Sequence, residues 1–520
     1  MPRSPLSTSL SKLSGGPKKL LEGQLSVSDV VIIVGSSATP LTVVAGVVTT
    51  GYAVTGITGL PIAFVVIGAV LALFCVGYVA MARYTAYAGA FYTYITQGLG
   101  RPAGVGAAWI ALASYNVLQA GLYGAIGPAA TPLLSAWFGI DVPWWVVALA
   151  AWAIVAVLGL QRVKFNARVL AVLLLAEVAV IVLFSLTGLI HPAGGTVTFD
   201  TLNPAALVEP GVGATFALAV LGFIGFESTV VYSEEARRPA HRTVKIASFT
   251  AVVVITLLYT LSSWAMSVAT GPAQIVAQSQ AQSTELIFNL AGKHLGDLVI
   301  DISRVLFVTS VLAAMISFHN TTNRYIFALG RERVLPEVLG ATRGKTGAPK
   351  WGSVIQSAFG FVVIVVFAVA GWDPLVHLFF WGGTTGALGV LLLIAATSIA
   401  IVSYFLRNPT QDTVWQRLIA PVFASCALLV VVVLAVANFD ILLGVAPTSP
   451  LRSAIPIAFL VIAILGALWA LFLRQRRPEV YTNIGRAVTS TSGSAAQGSR
   501  DLDADGQVPA SADFDWKSGR

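Results

Sequence analysis

Among the 520 residues of the chain, two carboxylates stand deep inside long apolar runs. They are Glu177, in Leu175-Ala176-Glu177-Val178, and Glu227, in Gly225-Phe226-Glu227-Ser228. An isolated ionisable group at bilayer depth costs at least a few kcal/mol, so it reads by default as functional. Desolvation disfavours the charged form of a carboxyl group, which suits taking up and releasing a proton. Each glutamate is therefore a candidate proton carrier. Each also has a plainer use. Glu227 could cap the N–H groups of a half-helix that begins after a break, where the helix dipole favours negative charge. Glu177 could anchor two helices through buried hydrogen bonds.

The remaining polar groups in the apolar runs are uncharged. Asn116, Gln119 and Tyr123 recur every three to four residues, so they form one stripe that must face protein or water. Ser114 and Tyr115 lie beside it, and Ser310 and Ser317 share a face two turns apart. Phe379-Phe380-Trp381-Gly382-Gly383-Thr384-Thr385-Gly386 sets an aromatic cluster against small residues. Each of these also suits simple helix packing; together they suggest a cavity near the bilayer midplane. Asp301 and Arg304 are spaced for an exposed ion pair, which is worth little. The five histidines have no ligand spacing, and Cys75 and Cys426 suggest neither disulfide nor metal. Gly340-Ala-Thr-Arg-Gly344-Lys345-Thr346 has three residues between its glycines where a phosphate loop needs four, and no strand precedes it, so ATP binding is not expected. No cofactor is implied, and no nucleophile–base set or metal cluster points to an enzyme.

The elements that must position these groups follow from composition. The chain is 56% hydrophobic and 10% charged, whereas a soluble domain is about 25% charged. Apolar runs at 27–50, 58–81, 104–130, 143–161, 167–190, 211–232, 244–270, 297–322, 352–371, 376–404, 416–437 and 453–474 predict twelve transmembrane helices. The fold class is thus an all-α integral membrane protein. Segments on one side hold 24 of the 31 Lys and Arg and those on the other hold two, so both termini are expected in the cytoplasm. That asymmetry accounts for the net charge of +8 without a nucleic acid. The N-terminus lacks the pattern of a cleaved signal peptide. Residues 1–24 read as a cytoplasmic tail and 25–477 as the helical domain. Residues 478–520, rich in Ser, Gly, Ala and Asp, read as a disordered cytoplasmic tail.

Two runs carry features that a lipid-facing helix avoids. The first reads Val34-Gly35-Ser36-Ser37-Ala38-Thr39-Pro40 and the sixth Leu221-Gly222-Phe223-Ile224-Gly225-Phe226-Glu227. Pro40 supplies no N–H and clashes with the preceding turn, so the first helix should open near it. Broken helices survive at bilayer depth only where protein or a water-filled cavity satisfies the freed backbone. Their offset of five makes the two runs antiparallel, as an inverted repeat of two five-helix units would.

The sixth run and the loop after it, through Ser233-Glu234-Glu235-Ala-Arg-Arg-Pro239, resemble the signature of the amino acid–polyamine–organocation transporters. Ala88-Gly89-Ala90-Phe91-Tyr92 and Asn323-Arg324-Tyr325-Ile-Phe-Ala-Leu-Gly330-Arg331 extend the likeness, which covers about 25–485. The resemblance implies a LeuT-like 5+5 inverted repeat with broken helices 1 and 6: repeats at 27–190 and 211–404, with helices 11 and 12 (416–474) outside them. It implies a substrate carboxylate held near Ser36, Ser37, Ala38 and Thr39 and an ammonium near Phe223 and Ile224, with Phe226 or a neighbour as an aromatic lid. Asn116 and Gln119 are expected at the same site. Several relatives carry a lysine near the position of Glu177. A glutamate there could be protonated or could hold Na⁺ with a hydroxyl such as Ser317. The expectation is an amino acid permease of the plasma membrane that moves an amino acid or related organic amine by alternating access. It would be coupled to H⁺ through Glu177 or Glu227. Na⁺ coupling, polyamine–amino acid exchange and a non-transporting sensor of the same fold are the alternatives.

Overall fold

A computed structural model describes residues 23–85, 89–161, 163–237, 239–342 and 347–485. The tails at 1–22 and 486–520, Ala88, the second arginine of Ala-Arg-Arg-Pro239, and residues 343–346 of the phosphate-loop-like run lie outside them. Among the described residues the chain is helical, with isolated bridges (Leu25 to Ala236, Thr342 to Pro349) in place of strands. Eleven helices there are long and apolar enough to cross a bilayer, and the protein is a multi-pass membrane protein.

Of the twelve expected spans, the fourth is the short one. Its helix runs Trp144–Leu158, from Pro143 to Gly159, and has 15 residues. At 1.5 Å per residue that is about 22 Å, less than the roughly 30 Å hydrocarbon core. The third span, Arg101–Phe138, is the longest of the described helices and packs on the eighth (Asp297–Arg331), tenth (Pro374–Arg407) and twelfth (Leu451–Arg476). The twelfth is mostly exposed, as expected of a helix facing lipid. The second span (Leu60–Met81) packs on the seventh (Ala240–Thr270), and the first on the fifth (Val163–Ile190).

Buried tyrosines fasten this bundle, because a buried phenol must find a partner for its O–H. Tyr52 donates to the Ser263 carbonyl at 3.0 Å and Tyr259 to the Ala38 carbonyl at 2.8 Å. Tyr78 donates to the Glu227 carbonyl, also at 2.8 Å. All three bonds have one end on a broken span, the first or the sixth.

The arginine-rich end is tied by charge. Arg324, in the eighth span, pairs with Glu235 at 2.7 Å and lies over the Tyr232 ring, while Arg331 pairs with Glu234 at 2.7 Å. Burial pushes the Glu235 carboxyl up from its ordinary range, and the Arg324 guanidinium opposes that shift. Leu25 clasps the same loop through backbone bonds with Glu235 and Arg237 at 2.9 and 2.8 Å. Beyond the twelfth span, Pro478–Asn483 form a short helix with Val480 and Ile484 buried. The Gly485 N–H donates to Glu332 at 3.0 Å and to the Tyr92 hydroxyl at 3.2 Å. The described structure thus includes a docked helix beyond 477, the boundary expected from composition.

Candidate functional site

The first span is a helix, a break and a second helical stretch. Its first half, Val27–Ser37, begins with a capping box in which Ser26 and Asp29 satisfy each other's backbone N–H. It stops where Pro40 forbids the next turn. Thr39 there takes φ 44°, a left-handed conformation that costs a non-glycine residue about 1–2 kcal/mol. The helix resumes at Pro40–Thr42, widens into a π-helical stretch at Val43–Val48, and ends with Thr49–Thr55.

A helix start leaves N–H groups without intrahelical partners. Here the Glu177 carboxylate takes the Leu41 N–H at 3.3 Å and the Ser310 hydroxyl at 2.6 Å, and Thr42 donates to Ser310 at 3.2 Å. Glu177 thus joins the first, fifth and eighth spans at the restart. Ser317, two turns beyond Ser310, is buried, and its hydroxyl has no partner among the described residues.

The sixth span runs as helix over Val212–Phe223, opens at Ile224 and Gly225, and continues as a 3-10 turn over Phe226–Thr229. Gly225 has φ +114°, and a Cβ there would lie 2.6 Å from the Ser37 Cβ. Glycine is needed twice over, for the dihedral and for the contact between the two breaks. Glu227 closes this break on itself: its carboxylate accepts the Gly225 N–H at 2.8 Å and the Tyr115 hydroxyl at 2.6 Å.

Between the breaks lies a cavity of about 70 Å³. A single water needs about 10–15 Å³ by the same measure, so the space suits a molecule of several non-hydrogen atoms. Ser37, Ala38 and Thr39 line it from the first break and Ile224 from the sixth. The other walls are mostly apolar, with Leu118, Phe318 and Phe379 prominent and Thr42, Thr50 and Thr384 the polar exceptions, and no ionisable side chain is among the described residues that form them. Four of the nine expected substrate-binding residues thus meet around one cavity.

The other five lie elsewhere. Ser36 turns its hydroxyl to the Leu170 carbonyl at 3.4 Å. Asn116 bonds back to the Leu112 carbonyl at 2.7 Å, and Gln119 to Tyr123 at 3.3 Å, beside Gly360 of the ninth span (Lys350–Ala370). The third span offers the cavity its apolar face, Leu118, Gly121 and Leu122. Phe223 packs on Phe64 and Tyr259, and Phe226 lies edge-on to Phe74, so neither ring covers the cavity. Both glutamates stand behind the breaks, outside the cavity lining. In this conformation the Ala38 and Thr39 N–H groups close onto the Val34 and Ser36 carbonyls, each at 3.2 Å.

Sequence reading missed Gly46, Thr42 and Phe318 as lining residues. Phe379, Phe380 and Gly383 had a signal, the aromatic cluster followed by small residues in the tenth span. An unexpected contact stands apart from the cavity: the His191 and His294 rings stack with centroids 3.8 Å apart.

Compared with known proteins, residues 25–468 match the sequence pattern of the amino acid permease family. The branched-chain amino acid permease BcaP of Bacillus subtilis is 26% identical over 270 residues, which is 51% of this chain and 53% of that protein. The match thus spans about half the length of each.

Proposed function

The chain belongs to the amino acid permease family, and on that premise we propose a secondary active transporter for amino acids with apolar side chains. It works by alternating access in the plasma membrane. Twelve spans form two inverted five-helix repeats plus two further helices, and both termini are cytoplasmic. The observation that carries this reading is the uncharged, mostly apolar cavity held between two broken spans. A basic, acidic or polyamine substrate would bring a further charge into it with no partner, at a large desolvation cost. A relative that is by name a branched-chain permease accords with it.

Binding uses the breaks. The substrate carboxylate takes the Ala38 and Thr39 N–H groups in exchange for their 3.2 Å bonds within the turn. The ammonium meets carbonyls left free where the sixth helix stops at Phe223 and Ile224. The apolar side chain lies among Leu118, Phe318 and Phe379.

Coupling to H⁺ is placed at Glu177. When charged, it holds Leu41 and Ser310 by charge-assisted bonds and fixes the restart of the first span. Proton uptake from outside weakens that hold, and release inside restores it. Glu227 acts as the brace of the sixth break. Na⁺ is the second reading, favoured by the Thr42, Ser310 and Glu177 oxygens gathered at one point. Reconstitution into proteoliposomes in sodium-free buffer separates the two. Under an inward proton gradient the wild type accumulates leucine; Glu177→Gln exchanges leucine for preloaded leucine but does not concentrate it. Gradient-driven accumulation by Glu177→Gln contradicts the proton role, and uptake that requires sodium favours the second reading.

A further inference from the structure

We infer that Gly383 in the tenth span, with Gly46 of the first, sets the size of the substrate side chain that the cavity admits. The inference rests on reading the cavity as an amino acid site. Three glycines line it: Gly46, Gly121 and Gly383. Glycine is a poorer helix former than alanine, so a glycine within a helix calls for a reason. The usual reasons are a left-handed φ or a close approach by a neighbour.

Close approach accounts for the other glycines in this part of the tenth span. A Cβ on Gly382 would lie 3.2 Å from the Val117 carbonyl oxygen, and one on Gly386 would lie 2.5 Å from Leu118 Cγ. At Gly389 it would overlap the Ser114 hydroxyl. Gly121 is pressed in the same way, 3.1 Å from the Leu378 carbonyl oxygen.

Gly383 has neither reason. It lies within the helix Trp381–Arg407 and is not among the positive-φ glycines. The nearest atom to an added Cβ is Leu221 Cδ2, at 3.9 Å, an ordinary contact. What the missing methyl leaves there is cavity. Gly46 is similar: a Cβ would rest on the edge of the Phe379 ring at 3.4 Å and take volume from the same space. Alanine at either position would be accommodated by the protein and would be in the way of a ligand.

The test compares uptake of labelled isoleucine and alanine by proteoliposomes holding wild type, Gly383→Ala or Gly46→Ala, with the thermal midpoint of each. Gly389→Ala, pressed on the Ser114 hydroxyl and the Phe459 ring away from the cavity lining, serves as a packing control. The expected result is an isoleucine-to-alanine ratio of kcat/KM at least about tenfold lower in Gly383→Ala, with the thermal midpoint kept. Gly46→Ala should shift the ratio in the same direction. Gly389→Ala should lower the midpoint and leave the ratio alone. If the wild type transports both amino acids and Gly383→Ala leaves the ratio unchanged, the size assignment is overturned while the site reading stands. If the wild type takes up neither, the site reading fails and the inference with it.

Discussion

Gly225 joins two constraints that no other residue type meets together: φ +114° and a backbone set against Ser37. Gly225→Ala should therefore separate the two breaks, at a cost of several kcal/mol from dihedral and steric strain combined. A large fall in thermal midpoint with loss of substrate binding is the expected result, and a near-normal midpoint would contradict the contact. Thr39 presents the opposite case, with a branched residue where glycine is at ease. Thr39→Gly should raise stability by up to about 1 kcal/mol, the left-handed cost less the added chain entropy; unfolding midpoints check it. At this scale the sequence was informative in part. Pro40, Gly225 and the two glutamates were visible as anomalies in apolar runs. Their partners were not: Ser310 and Ser317 share a helix face, and spacing alone does not say which one meets Glu177. Asn116 and Gln119 show the same limit, since a polar stripe must face protein or water but need not face the cavity.

Helix breaks were legible because proline and glycine act locally, and span positions because hydropathy does. The fourth span was read as long enough to cross, and its 15-residue helix is shorter because Pro143 and Gly159 bound it. The segment after the twelfth span escaped notice because its order comes from docking. Val480 and Ile484 are buried, Arg101 donates to the Thr482 carbonyl at 3.0 Å and lies over the Tyr481 ring, and Gly485 reaches Glu332 and Tyr92. Truncation after 477 should lower the thermal midpoint, whereas truncation after 485 should leave it nearly unchanged. Equal midpoints for the two would mean that the docked segment contributes nothing.

Across the whole molecule, the Lys and Arg asymmetry and the ion pairs at one end belong together. Arg324 and Glu235 are both buried, so Arg324→Met leaves an uncompensated carboxylate there and should cost about 3–5 kcal/mol. The same asymmetry fixes the expected orientation. A cysteine at Lys293 should react with a membrane-impermeant thiol reagent in intact cells, and one at Arg407 only after permeabilisation; the reverse pattern would invert the topology. The central claim is that an uncharged cavity between two broken spans carries an apolar amino acid against its gradient. Its most direct test is uptake of labelled isoleucine into proteoliposomes with and without an inward proton gradient, in competition with leucine, lysine, glutamate and putrescine. Accumulation above equilibrium is expected only with the gradient, suppressed by leucine and by none of the charged competitors. Suppression by lysine or putrescine, or equal uptake without the gradient, would contradict it.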